Sequence, residues 1–323
     1  MKKTLSLILT LALLLFALAS CAQPAAGSDE PLSIGYLAGP TGMGLAKLIK
    51  DTPADSKDYH FSSYTDPNLA VPDLLNGTLD MACLPTNAAA NLFNKGNEIT
   101  VIAVNTLGSL FIIADKNTNI ETIADLEGKT VYASVPNSTT EPILKHILNE
   151  NNVQANVVVD SATHDDLIAK VKASNGTAIA VLPEPKVSAT LLQVKNYEVK
   201  LNISEEWSKV SEKPLAMGCI VARNDAIKNN KAAVDKFLED YNSSVQYISA
   251  AENRAAAAQI IVDVGIIPKL PIATSALGNL DGAIVLIKGQ EMTQTLKQFY
   301  EVLLASSAAT IGEKQPADSF YYD

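Results

Sequence analysis

The sequence predicts an α/β protein of two lobes, one inserted in the other, carried behind an export leader. Three observations point to it. From Leu32 onward, short β-type apolar runs alternate with amphipathic helical runs, the rhythm of a mostly parallel sheet wrapped by helices. The rhythm restarts near Leu110, and the chain turns largely helical after Arg223. A chain of 323 residues also exceeds what one hydrophobic core usually serves.

In the first unit, Leu32–Leu37 reads as a strand, Gly39–Gly44 as a turn, and Leu45, Ala46, Leu48 and Ile49 as the start of a helix face. Tyr59–Tyr64 is a strand and Asn68–Leu75 a helix after Asp66-Pro67. Leu79–Leu84 is a strand, Asn87–Asn94 a helix and Ile99–Asn105 a strand. The second unit opens with apolar Leu110–Ala114 and a short helix and turn over Ile123–Lys129. Strands then follow at Thr130–Ala133, Asn156–Asp160 and Thr177–Leu182. Helices over Thr140–Asn149, Asp165–Ala173 and Lys186–Val194 alternate with them. Leu215–Val221 is a further strand, and Ser204–Trp207 reads as a capped helix start. Lys231–Ala250 is a long helix with Val234, Phe237, Leu238, Tyr241, Val245 and Ile248 on one side. Helices at Asn253–Val264 and Lys269–Leu280, a strand at Ala283–Ile287 and a helix at Gln290–Ala305 complete the chain.

The leader has its own logic. Lys2 and Lys3 precede an uncharged, Leu-rich run over Leu5–Leu18, the length of a secretory signal core and short of the ~20 residues of a spanning helix. It ends in Leu18-Ala19-Ser20-Cys21, which resembles a bacterial lipobox, with small residues for a peptidase site and a thiol to accept lipid. Residues 22–31 are a polar tether with nothing to bury. The expected organisation is a signal peptide over 1–20 and a lipidated tether over 21–31. Lobe I then takes 32–108 plus 219–323, and lobe II is inserted over 109–218. The expected location is the extracytoplasmic face of the cell membrane, anchored by lipid on Cys21.

The net charge is −10, and Arg223 and Arg254 are the only arginines. Nucleic acid is excluded as a partner, because phosphate contacts need clustered Arg and Lys. Cys83 and Cys219 sit in apolar runs and read as buried free thiols. A disulfide between them stays open in an oxidising location. His60, His146 and His164 are isolated and read as surface or loop residues. No catalytic cluster, cofactor motif or metal-ligand spacing is present.

Open α/β sheets hold ligands at the carboxyl ends of their strands, and that rule selects the candidate site. After the first strand come Tyr36, Gly39, Thr41 and Gly42, where glycines let backbone N–H groups approach a ligand. Thr86 and Asn87 follow the third strand, and Asn105 and Thr106 end the fourth. In the second unit the candidates are Ser134, Ser138, Thr139 and Glu141 after one strand. Glu184, between two prolines, follows another. Each loop has an equally simple reading as a turn or helix cap.

Taken together these segments resemble the solute-binding proteins of ABC importers, in the branch of nitrate, sulfonate, bicarbonate and thiamine-pyrimidine receptors. The resemblance rests on the Ile34–Gly44 opening, Gly77-Thr78-Leu79-Asp80-Met81-Ala82 and Ile123–Thr130. It also takes in Leu182-Pro183-Glu184-Pro185 and the Ile311–Tyr322 tail. It implies a type II periplasmic-binding-protein fold: two α/β lobes joined by crossing segments near Leu107–Phe111 and Met217–Val221. Gly108 and Gly218 would lie at the hinge. It implies a small solute held between the lobes and an ABC permease with its ATPase as partners, while the lipobox leader and the lack of a catalytic cluster argue against an enzyme. The alternatives are an enzyme on the same fold, in pyrimidine or menaquinone precursor synthesis, and a ligand sensor for a kinase. With Glu184 and Glu141 in the cleft, no Arg or Lys there and Tyr36 as a stacking face, the expected solute is neutral or weakly cationic, and heteroaromatic.

Overall fold

The computed structural model describes residues 30–322. The leader, Cys21 and most of the tether lie outside the described residues. Eleven strands form two sheets.

The first sheet is built from β1 (Leu32–Leu37), β2 (Tyr59–Tyr64), β3 (Met81–Pro85) and β4 (Ile99–Thr106). Its helices are α1 (Pro40–Met43), α2 (Ala46–Asp51), α3 (Pro67–Asn76) and α4 (Thr86–Asn94). The chain then crosses to a second sheet of β5 (Leu110–Asp115), β6 (Thr130–Ser134), β7 (Asn156–Ser161), β8 (Ile179–Pro183) and β9 (Tyr197–Asn202). Helices α5 (Thr140–Glu150), α6 (His164–Ala173) and α7 (Lys186–Gln193) connect its parallel strands. A return through α8 (Ile203–Val210) leads to β10 (Gly218–Arg223) in the first sheet. Then come α9 (Asn224–Ser249), α10 (Arg254–Asp263), α11 (Leu270–Asn279), β11 (Ile284–Ile287) and α12 (Gly289–Ser307).

The sheet orders are β11-β4-β10-β3-β1-β2 and β7-β6-β8-β5-β9. Most strands of each sheet run the same way, as the βα rhythm requires. The exceptions are the strands that arrive across the molecule, β10, antiparallel to β3 and β4, and β5, antiparallel to β8 and β9, together with the edge strand β11, antiparallel to β4. Both sheets therefore aim the carboxyl ends of their parallel strands at the space between them.

Three elements differ from the sequence reading. Gly39–Gly44 contains the single helical turn α1, not only a loop. Strand β9 is additional; its alternation Tyr197-x-Val199-x-Leu201 is the period of a half-buried edge strand, interrupted by Glu198 and Lys200. A further helical segment from Asn224 precedes the long helix, which starts at Lys231 as expected after the non-helical Asn230.

The core is not split cleanly between the sheets. One apolar cluster takes Leu84, Val104 and Cys219 from the first sheet and Ile112, Val131 and Val181 from the second. Trp207 of α8 joins them there, between His146 of α5 (ring centroids 5.2 Å) and Phe299 of α12 (5.8 Å). The two bodies thus share a packed seam as well as two crossing segments. Cys83 and Cys219 are both buried and free. Cys219 stands opposite Leu84, while Cys83 stands opposite Ile220. Directly paired residues share a face and neighbours alternate, so the two thiols lie on opposite faces of the sheet. Among the described residues no helix is long and apolar enough to cross a membrane.

Candidate solute cleft

A cavity of about 560 Å³ lies where the strand ends of the two sheets face each other. The first sheet contributes Leu37–Thr41 after β1, Thr65, Pro67 and Asn68 after β2, Pro85, Asn87 and Ala88 at the head of α4, and Thr106. The second contributes Val135–Thr140 after β6, His164 after β7 and Pro183–Lys186 after β8. Ser109 and Met217 line it from the two crossings.

Gly39, Thr41, Asn87, Thr106, Ser138, Thr139 and Glu184 of the sequence-derived set line this cavity. Six others do not. Tyr36 is buried beneath the loop, its ring 3.0 Å from where a Cβ on Gly42 would stand, so it offers no stacking face. Gly42 is buried too, held against the Leu37 carbonyl. Thr86 is fully buried and donates its hydroxyl to Ala216 O at 2.8 Å. Its backbone N–H also goes to Met217 O, so it pins the return crossing. Asn105 is equally buried, donating to Thr41 O at 2.9 Å and accepting from Thr106 Oγ1; it shapes the first loop from behind. Ser134 is 2% exposed and its Oγ lies 2.7 Å from His164 Nδ1. Glu141 points outward and pairs with Lys145 at 2.6 Å.

Glu184 is the most constrained polar group of the wall. It is 1% exposed and directly follows β8, with its N–H on Ser109 O. Its carboxylate accepts from Ser188 N (3.2 Å), Ser188 Oγ (2.9 Å) and Asn279 Nδ2 (2.5 Å). Burial pushes the carboxyl above the usual carboxylate range, and the Asn279 and Ser188 donors pull it back.

His164 opens α6 and is half-buried, contrary to its reading as a bystander. Burial lowers its pKa, the nearby Lys186 ammonium lowers it further, and Asp165 opposes both. Ser134 sits behind the ring and holds Nδ1 in place. Lys186 also lines the cavity, which corrects the expectation of a cleft without Lys. Its ammonium is taken by Asp165 at 2.6 Å. The loop after β6 holds Val135 at φ 61° and Asn137 at φ 64°. A left-handed β-branched residue carries a backbone cost, and here it falls in the cavity wall. Among the described residues that line the cavity there is no Phe, Tyr or Trp.

Gly108 and Gly218 have no left-handed φ. Both are packing glycines: a Cβ on Gly108 would collide with the Ser204 hydroxyl, and one on Gly218 would lie 2.5 Å from Thr41 Cγ2.

This architecture recurs in solved structures. An ABC transporter from Parabacteroides distasonis superposes with TM-score 0.78 at 17% identity, covering 91% of this chain and 99% of that one. The periplasmic aliphatic sulphonate binding protein SsuA from Escherichia coli gives TM-score 0.69 at 18% identity, with coverages of 89% and 93%. The periplasmic nitrate-binding protein NrtA from Synechocystis PCC 6803 gives 0.62 at 15%, with 88% and 85%. At these identities the likeness establishes the type II periplasmic-binding-protein fold. No curated protein matches the sequence. The model of the NMT1/THI5-like family matches residues 58–255, from the first residues before β2 through the long helix and including the whole second sheet. The chain therefore belongs to the NMT1/THI5-like family.

Proposed function

We propose that this protein is the solute receptor of an ABC importer, held at the extracytoplasmic face of the membrane by lipid on Cys21. It captures a small polar solute between its two bodies and delivers it to a permease and its ATPase. The observation that carries this reading is the cavity of about 560 Å³ lined from both sheets by hydroxyls, amides and one buried carboxylate. That size suits a small molecule. The fold's relatives named for sulphonate and nitrate binding support a binding role. Catalysis is not favoured: the Ser134–His164 pair of the wall has its serine behind the histidine, out of a substrate's reach.

The solute we propose is neutral or weakly cationic and presents an N–H or ammonium donor to Glu184. An anion is disfavoured because Lys186 is already paired with Asp165. The heteroaromatic part of the expected solute loses its footing with Tyr36 buried.

Native mass spectrometry of the full chain, purified in detergent from its own cell, identifies any retained solute. Glu184→Gln is expected to cut its retention more than about tenfold, the scale of a charged hydrogen bond. Unchanged retention refutes the role of Glu184. Titration showing that alkanesulfonates bind while amines do not overturns the ligand class.

A further inference from the structure

Glu184 and Asn279 lie on different bodies. Glu184 directly follows β8 of the second sheet. Asn279 ends α11, whose Ala273, Ala276 and Leu277 pack into the core of the first body. Helix α11 reaches across to lie against α7, and there Asn279 Nδ2 donates to Glu184 Oε1 at 2.5 Å. The same oxygen accepts from Ser188 Oγ of its own body at 2.9 Å. One carboxylate oxygen at the cavity wall is thus held from both sides of the cleft. The side chain of Asn279 is not used by its own helix, whose last turn is closed by the Leu280 N–H on Ala276 O.

We propose that Asn279 is a cross-body positioning residue: its amide aims the Glu184 carboxylate into the cavity only when the two bodies are together. The carboxylate is fixed by Ser188 alone when they separate, because a displacement of about 1 Å takes an N–H···O contact of this length beyond bonding range. Approach of the bodies and orientation of the acceptor are then one event. The part of this concerning solute rests on the receptor reading above; the contact itself does not.

Reversal of donor and acceptor tests it. Amide hydrogen exchange is measured on the full chain in detergent with no solute added, over residues 184–193 and 270–279. Asn279→Asp sets two carboxylates against each other and is expected to lower protection in both segments by about tenfold or more. Glu184→Gln lowers it modestly in the native background. In the Asn279→Asp background the same change is expected to raise protection, because the amide introduced after β8 then donates to the carboxylate introduced on α11. This change of sign is not expected of two residues that merely stabilise their own helices. The inference is overturned if Glu184→Gln has the same effect in both backgrounds, or if Asn279→Asp leaves residues 184–193 unchanged. Asn279→Ser, too short to reach, is the second variant should Asn279→Asp fold poorly, and must lower protection of residues 184–193. Solute retention is read separately by native mass spectrometry. A sign change with no retained solute in any variant upholds the latch and removes the receptor reading. Retained solute without the sign change does the opposite.

Discussion

Gly218→Ala separates two explanations of a glycine at a crossing. A hinge glycine supplies backbone freedom; a packing glycine supplies room. Gly218 begins β10, between Pro85 of β3 and Thr106 of β4. A Cβ there would lie 2.5 Å from Thr41 Cγ2, 2.7 Å from Asn105 Oδ1 and 3.0 Å from Thr106 Cβ. None of the three can yield alone. Thr41 and Thr106 are β-branched and stiff at χ1, and Asn105 is tied at both ends, to Thr41 O and to Thr106 Oγ1. The methyl must displace α1 or the β4 end as a unit, the overpacking case that costs about 1–3 kcal/mol. For a chain of this size that lowers Tm by roughly 2–10 °C. Gly39→Ala is the control, since nothing lies within 4 Å of its Cβ position and its φ of 166° is extended; its effect should stay within about 0.5 kcal/mol. Urea unfolding of both variants, at equal m, gives the comparison. If Gly218→Ala is as stable as Gly39→Ala, the packing argument is wrong and backbone freedom explains the glycine.

Thiol labelling of the Cys21→Ala chain should show no reactive cysteine in the native state and two in urea, since burial pushes Cys83 up to about 12 and Cys219 higher. An oxidant-induced Cys83–Cys219 bridge in the native protein would contradict the opposite-face placement. Cys21→Ala should also shift the protein from membrane to soluble fractions, and persistent membrane retention would refute the anchor. His146 and His164 are both held below the ordinary imidazole value by burial. The unfolded chain therefore takes up protons first as pH falls, and stability drops below about pH 6.5. Glu184, raised by burial, acts with the opposite sign, losing stability as pH rises from the ordinary carboxylate value through its own. Urea midpoints should therefore fall between pH 7.5 and 5.5, and fall less in His146→Gln; an unchanged slope would show that His146 does not titrate with folding.

Strand and helix placement was legible because the period of apolar residues is a local property, and most bounds agree within two residues. Strand β9 escaped for the reason edge strands generally do: Glu198 and Lys200 interrupt the apolar signal, leaving only Tyr197, Val199 and Leu201 to carry period two. The rule that strands present their carboxyl ends to a ligand selected loops that line the cavity, but did not separate the side chains that line it from those that lie behind it. Neighbours Thr86 and Asn87 divide, one locked to the return crossing and the other lining the cavity. That choice depends on Ala216 and Met217, more than a hundred residues away. His164 had a usable signal, since it follows β7 as Glu184 follows β8. It belongs to no metal-ligand or triad spacing in the sequence. Asn279 had none, because nothing near it in the chain marks a helix end that reaches the other body.

The charges of the cleft wall bear on selectivity as well as on affinity. Lys186 is held by Asp165, and the Glu184 carboxylate already has three donors. A carboxylate offers about four acceptor sites, so one remains for a guest. A solute with a donor in that place completes a set the protein has nearly filled, and gains the charged hydrogen bond whose loss in Glu184→Gln is expected to cost about tenfold. A solute of the same shape without one strips that site of water and leaves it unmatched, a cost that buried polar groups do not escape. Under the receptor reading, Glu184 therefore also works by exclusion. Asn279 sharpens the exclusion, because it holds the carboxylate oriented in the closed form, where a mismatched guest would need the group to turn away. The same reasoning accounts for Glu184 lying at 1% exposure on the wall: discrimination of this kind requires the acceptor to be dry and fixed before the solute is judged.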